Sequence, residues 1–231
     1  MKFAVNALIW TTEFDHRSFS LLPQLREHGF DGFEVPVFEP AKIDGAAIRR
    51  ALSANDLDCR VCAILPTGLN PISEDASIRS KTVRHLADCV KVTADLGSTL
   101  MAGPVYAPVG YLPGRRRNTD EWKWAVECFQ TLTPVLEQNS VDLGVEPLNR
   151  FETYFLNTAA DAANLCDEVN HSRVGVLLDT FHTNIEEKDV AAAFRLTGKR
   201  LKHVHACEND RGIPGTGHVD FAGIAAVLRD V

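Results

Sequence analysis

The chain has 231 residues, of which 45% are hydrophobic and 24% are charged, and these proportions exclude a disordered, collagen-like or coiled-coil protein. Its 24 basic and 31 acidic residues give a net charge of −7, whereas nucleic-acid-binding domains and proteins that dock on anionic lipid carry basic surfaces. We therefore expect no nucleic-acid partner and no membrane partner.

Along the chain, short apolar runs alternate with amphipathic segments. The apolar runs are typical of parallel strands buried on both faces, and they lie at 3–9, 32–37, 59–65, 99–105, 141–146, 173–179 and 201–206. The amphipathic segments predict helices at 18–28, 44–55, 78–96, 119–139, 158–169, 188–198 and 221–229. Seven strand–helix units without a linker predict one α/β domain over 1–231, a (β/α)₈ TIM barrel.

An eighth strand is missing from this count. The last predicted helix ends at residue 229, so strand eight would begin beyond Val231. Seven strands would leave unpaired backbone groups between the first and the seventh strand. We therefore expect the barrel to be truncated before strand eight, or the gap to be filled by another chain, which makes a homo-oligomer possible.

Several features of the sequence predict a cytoplasmic protein. The apolar run near the N-terminus is interrupted by Asn6 and followed by Glu13 and Asp15 rather than by a cleavage site. No apolar run approaches the roughly 20 residues of a membrane-spanning helix. The six cysteines are scattered through the chain, which predicts reduced thiols rather than a disulfide framework.

Three consecutive predicted strands end in side chains that bind metals. Glu146 ends the fifth strand, Asp179 the sixth and His205 the seventh. In barrels of this type, catalytic groups lie at the carboxyl ends of the strands. An acid at a strand end is often only a helix cap, but three metal-binding side chains at matching positions predict a shared site. Two carboxylates and one imidazole suit Mn²⁺, with Mg²⁺ or Co²⁺ as alternatives.

The same regions carry a family resemblance. The segments VEPLNRFETYFLNT, LLDTFHTNIEE and HVHACENDRG resemble the ketose 3-epimerases, of the tagatose, allulose and ribulose type, within the xylose-isomerase-like sugar isomerase and epimerase superfamily. The resemblance covers most of the chain. It implies a (β/α)₈ barrel that holds one divalent metal ion through Glu146, Asp179 and His205.

The resemblance also implies a small-molecule ketose substrate and its epimerisation at C3. A metal-bound ketose is stabilised as an enediolate when C3 loses its proton, and Glu146 would act as the acid or base in this step. Glu152 and His182 would hold the sugar near its C1 and C2 oxygens. Arg211 would support the site from the loop after strand seven.

The family has a second catalytic glutamate on strand eight, and no acid after His205 can be assigned to its place. Inversion at C3 requires reprotonation from the opposite face of the sugar. We therefore expect the 231-residue chain to bind metal weakly and to epimerise poorly or not at all.

Other functions remain open at this level. Another superfamily isomerase or dehydratase, of the hydroxypyruvate or inosose type, would share the metal site. A metal-dependent nuclease is disfavoured by the acidic net charge, and a non-catalytic sugar-binding relic would retain only the sugar contacts. The three arginines at 115–117 suggest a phosphate clamp, but adjacent side chains cannot all converge on one ligand, so we expect a solvated loop there.

Overall fold

The strand-forming segments build one parallel sheet in the order of the chain. In the computed structural model, which describes residues 1–230, each strand pairs in parallel with the next, from β1 to β7. The strands are β1 (Ala4–Asn6), β2 (Gly32–Val37), β3 (Asp58–Ala63), β4 (Leu100–Gly103), β5 (Asp142–Val145), β6 (Val174–Asp179) and β7 (Leu201–His205). Helices alternate with these strands, so the predicted barrel-type α/β fold is confirmed over the described residues.

The helices begin at side chains that cap them. They are α1 (Leu21–Glu27), α2 (Gly45–Ala54), α3 (Ala76–Asp95), α4 (Thr119–Asn139), α5 (Ala159–Val169), α6 (Thr180–Glu186), α7 (Val190–Thr197) and α8 (Phe221–Leu228). In all except α1, a side-chain oxygen of the N-cap residue accepts a backbone N–H of the first turn. Each such cap stabilises a helix by about 1 kcal/mol.

Two elements differ from the sequence prediction. The first strand ends at Asn6, whose side chain accepts the N–H of Leu8 at 2.8 Å, and a 3₁₀ turn follows over Ala7–Ile9. Helix α6 was not predicted. It follows β6 without a loop, because Asp179 is both the last residue of the strand and the N-cap of the helix.

The core of the protein positions the ends of the strands. Strands β2, β4 and β6 are buried along their whole length, as their near-continuous apolar sequences predict. The largest fully buried side chains include Phe33, Phe129, Phe155, Phe194 and Tyr106. Since all the strands run in the same direction, their carboxyl ends meet at one rim of the sheet. Side chains that follow these strands are therefore held close together.

The seam that the sequence predicts lies between β1 and β7. Within residues 1–230, β1 pairs only with β2 and β7 pairs only with β6. Every residue of β7 is half-buried, whereas its neighbour β6 is fully buried. In the same residues, no helix has both the length and the hydropathy needed to cross a membrane.

Gly103, at the carboxyl end of β4, provides a test of this packing. Its φ angle is +143°, and a Cβ atom there would lie 2.1 Å from the carbonyl oxygen of Ala63 on β3. We expect Gly103→Ala to lower the free energy of unfolding in urea by about 2–4 kcal/mol. Gly29→Ala is the matched control, because Gly29 also has a positive φ but no atom within 4 Å of a Cβ. It should cost only about 1 kcal/mol, and equal losses in the two variants would contradict the clash.

Candidate metal centre

Glu146, Asp179 and His205 meet at the carboxyl rim of the sheet. Nδ1 of His205 lies 3.4 Å from Oε1 of Glu146 and 3.8 Å from Oδ2 of Asp179. Two atoms that each bind one cation at about 2.1 Å can be at most about 4.2 Å apart. His205 is therefore close enough to share an ion with either acid, and ligand atoms of Glu146 and Asp179 lie within 4.8 Å of each other and of His182.

The chemistry of this set of side chains fits a divalent cation. Glu146 and Asp179 are buried, and two neighbouring carboxylates out of water require positive charge beside them. Arg211 supplies part of this charge, since its Nη1 lies 3.3 Å from Oδ2 of Asp179. Two carboxylate oxygens and one imidazole nitrogen are ligands that suit Mn²⁺, Mg²⁺ or Co²⁺ better than a metal that prefers thiolates.

The two oxygens of Asp179 have different partners. Oδ1 accepts the backbone N–H of Phe181 at 2.7 Å, which caps α6, and the thiol of Cys207 at 3.3 Å. Oδ2 faces His205 and Arg211. A helix cap and a metal ligand are thus compatible at this residue, because the cap uses only one oxygen and leaves the other directed at the rim.

His205 presents its second ring nitrogen to a residue that the sequence analysis missed. Glu34 lies within β2 and is buried, and its Oε2 is 3.0 Å from Nε2 of His205. Burial alone would lower the pKa of His205, but the carboxylates of Glu34 and Glu146 outweigh it and raise that pKa well above its usual value. Burial alone would raise the pKa of Glu34, but His205 and His203 outweigh it and lower that pKa.

His182 of α6 lies beside Glu146 and Asp179, close enough to be a possible metal ligand with them, but its hydrogen bonds make it a donor toward the site. Its Nε2 lies 4.0 Å from Oε1 of Glu146. Its Nδ1 accepts the backbone N–H of Asn149 at 3.0 Å, so in the neutral ring the proton is on Nε2. Burial lowers the pKa of His182 to about 4, and the ring is therefore neutral at neutral pH.

Glu152 and Arg211 lie beside His182. The side-chain amide of Asn149, which the sequence analysis also missed, donates to Oε1 of Glu152 at 2.8 Å. Nη2 of Arg211 lies 3.5 Å from the same oxygen, and its guanidinium stacks 4.0 Å above the ring of Phe181. All six residues predicted for the site are thus brought together, at the ends of β5, β6 and β7.

Two arginines of the 115–117 run have structural partners. Arg115 donates to the buried carboxylate of Glu121 through both terminal nitrogens, at 2.7 and 3.0 Å. Arg117 pairs with Asp161 at 2.7 Å and also donates to a backbone carbonyl. Residues 115–117 lie in a segment without helix or strand, where Arg115 and Arg116 are exposed, which agrees with the expected solvated loop. The guanidinium groups of Arg115 and Arg117 are nevertheless paired with acids.

The glycine-rich segment at 212–218 is shaped by Glu208. This carboxylate is fully buried and accepts the backbone N–H groups of Val219 at 2.7 Å, Gly215 at 2.9 Å and Asn209 at 3.3 Å. These bonds engage both oxygens of Glu208. The acid is therefore a structural centre of the loop that carries Arg211.

Comparisons with known proteins agree with this geometry. The family model described as "Xylose isomerase-like TIM barrel" matches residues 22–231. A probable ketose 3-epimerase of Synechocystis sp. is 34% identical over 216 residues, covering 94% of this chain and 75% of that protein. The L-ribulose 3-epimerase of Mesorhizobium japonicum is 30% identical over 231 residues, covering 100% and 77% of the two chains. The crystal structure of a Methylomonas sp. D-allulose 3-epimerase in complex with D-allulose superimposes with a TM-score of 0.94, at 28% identity, and covers 100% of this chain and 80% of that one.

The shared ion can be tested through Asp179. Asn at this position keeps the helix cap but replaces a carboxylate with a neutral amide, so we expect Asp179→Asn to weaken Mn²⁺ binding by at least about 100-fold. Titration calorimetry and the electron paramagnetic resonance signal of free Mn²⁺ measure the change. Asp142→Asn is the control, because Asp142 pairs with Arg173 and Lys202 at the opposite end of β5. Equal affinities in the two variants would contradict the site.

Proposed function

Because the chain belongs to the xylose isomerase-like TIM barrel family, we propose that it is a divalent-metal-dependent ketose 3-epimerase. Its enzyme class is that of the sugar epimerases, which are isomerases. Relatives of this class are 28–34% identical to the chain over nearly its full length. The observation that carries the proposal is the convergence of two carboxylates and one imidazole beside three sugar-binding candidates. These six residues are Glu146, Asp179, His205, Glu152, His182 and Arg211.

We propose Mn²⁺ as the ion, with Mg²⁺ or Co²⁺ as alternatives, held by Glu146, Asp179 and His205. When bound, such an ion withdraws charge from a ketose carbonyl and stabilises the enediolate that forms when C3 loses its proton. Glu146 is the candidate base for that proton, since its buried carboxylate borders both the imidazole of His205 and the candidate sugar-binding residues.

The sugar would be oriented by two donors and one acceptor. Nη2 of Arg211 lies 3.2 Å from Nε2 of His182, and both nitrogens carry protons in the neutral-imidazole state. One sugar oxygen that faces both nitrogens from the side of the site would accept from both. Glu152 offers a carboxylate to a neighbouring hydroxyl. In this proposal the C1 and C2 oxygens occupy these positions, which exposes C3 to Glu146.

The substrate that we propose is a free ketose rather than a sugar phosphate. The guanidinium groups of Arg115 and Arg117 are paired with Glu121 and Asp161, which counts against a phosphate clamp at 115–117. A cytoplasmic location is part of the proposal, since all six cysteines are unpaired and such thiols persist in reducing compartments.

Deuterium exchange tests the reaction directly. With Mn²⁺ and D-fructose or D-allulose in D₂O, we expect deuterium at C3, detected by nuclear magnetic resonance. Glu146→Gln should slow this exchange by about 10²–10⁴-fold, the usual contribution of a general base. Glu137→Gln, at an exposed acid on α4, is the control and should exchange normally. Deuterium at C1 together with an aldose product would instead identify an aldose–ketose isomerase and overturn the proposal.

Low turnover by residues 1–231 stays a prediction. Two of the described acids near the rim already have partners. Glu208 accepts hydrogen bonds from backbone N–H groups, and Glu34 is paired with His203 and His205. Neither is available to reprotonate C3 from the face opposite Glu146. We expect this chain to exchange the C3 proton faster than it forms the epimer, as measured by comparing deuterium content with sugar chromatography. Epimer formation as fast as exchange would contradict this expectation.

A further inference from the structure

We infer that Glu34 is a positioning residue that sets which nitrogen of His205 faces the metal. The inference rests on the proposed function, because it concerns the metal centre of the same site. It goes beyond that function by assigning a role to a buried carboxylate on β2, which the resemblance and the comparisons leave without one.

His205 spans two groups of carboxylates. Its Nε2 lies 3.0 and 3.3 Å from the two oxygens of Glu34, and its Nδ1 lies 3.4 Å from Glu146 and 3.8 Å from Asp179. An imidazole binds a cation only through a nitrogen without a proton. When a cation takes the place of the proton on Nδ1, a carboxylate that accepts from Nε2 would keep the proton there and leave the lone pair of Nδ1 for the ion beside Glu146 and Asp179.

Glu34 is itself fixed in place by neighbours on both sides. The side-chain amide of Asn6 donates to Oε2 of Glu34 at 2.9 Å, and Asn6 is its direct partner in the register of β1 and β2. Nε2 of His203 lies 3.3 Å from Oε1. The carboxylate is therefore held before any metal binds, and its orientation does not depend on the ion.

Packing alone does not account for an acid at this position. Glu34 is 3% exposed, and the rest of its strand is apolar, GFEVPV. A buried carboxylate costs free energy unless it is paired, so an aliphatic residue would suit a purely structural role better. A carboxylate on the outer nitrogen of a metal-binding histidine, by contrast, orients the ring and makes the inner nitrogen a stronger ligand.

The alternative is a second metal site formed by Glu34, His203 and His205, whose candidate ligand atoms lie within 4.8 Å of one another. It would require both nitrogens of His205 to lose their protons at once, because Nδ1 already faces Glu146 and Asp179. The geometry therefore favours a single ion with Glu34 behind its histidine ligand.

Two substitutions of Glu34 test the inference. Glu34→Gln removes the charge but keeps an acceptor, and we expect about 10-fold weaker Mn²⁺ binding. Glu34→Leu removes the acceptor, and we expect up to about 100-fold weaker binding. Titration calorimetry measures affinity and stoichiometry, which should remain one ion per chain. Glu121→Gln is the matched control, since Glu121 is 4% exposed and hydrogen-bonded on α4, and it should lower stability without changing Mn²⁺ affinity.

Nitrogen-15 spectra of the histidines give a readout independent of activity. In the unmodified chain the Nε2–H proton of His205 should be visible and protected from exchange, both without metal and with Mg²⁺ bound. In Glu34→Leu that protection should disappear. A proton on Nδ1 in the Mg²⁺ form, an unchanged Mn²⁺ affinity in both variants, or a second ion that is lost with Glu34 would overturn the inference.

These results separate the inference from the proposed function. Should the chain bind one Mn²⁺ and respond to Glu34 substitution but leave every ketose proton unexchanged, the epimerase proposal fails and the role of Glu34 stands. Should ketose exchange proceed normally in Glu34→Leu with unchanged metal affinity, the proposed function stands and the role of Glu34 is refuted.

Discussion

The burial of negative charge at one rim of the sheet is the constraint on which the rest of the site depends. Three carboxylates, those of Glu34, Glu146 and Asp179, are out of water around the imidazole of His205. Burial would lower the pKa of His205, but the carboxylates of Glu34 and Glu146 stabilise the imidazolium and raise that pKa. The guanidinium of Arg211 contributes from the loop side. Burying this excess of negative charge costs free energy that packing alone does not offset. The arrangement is suited to a divalent cation, which would neutralise the charge.

The fold meets this constraint through the order of the parallel strands. Glu146 comes directly after β5, whereas Asp179 and His205 are the last residues of β6 and β7. Because these strands are neighbours in the sheet, no loop has to bring the three side chains together. The direct passage from β6 into α6 adds His182 one turn after Asp179. Asn149 then ties the loop after β5 to that helix through the ring of His182. Local chain geometry therefore sets most of the distances in the site.

Features of the fold and site that local sequence patterns determine could be predicted from the sequence. Features that depend on contacts between residues far apart in the chain could not. The strands and the six predicted site residues follow from apolar runs, strand ends and a family resemblance, all of which are local patterns. Helix α6 was missed because its short, largely polar sequence, TFHTNIE, carries no helical pattern of its own and becomes helical through the Asp179 cap and its burial in the fold. Glu34 was missed because its partner His205 is 171 residues away. An acid inside an apolar strand was its only visible signal.

The acids after β7 show why residue type alone does not assign a catalytic role. The segment that follows His205 is rich in acids, yet Glu208 binds the backbone N–H groups of its own loop, and Asp210 accepts the N–H of Gly212 at 2.8 Å. These bonds shape the loop so that Arg211, with a φ of +66°, reaches both Asp179 and Glu152. The loop thus links the candidate metal centre to the candidate sugar contacts through the guanidinium of Arg211, and the carboxylates of Glu208 and Asp210 shape the loop that carries it.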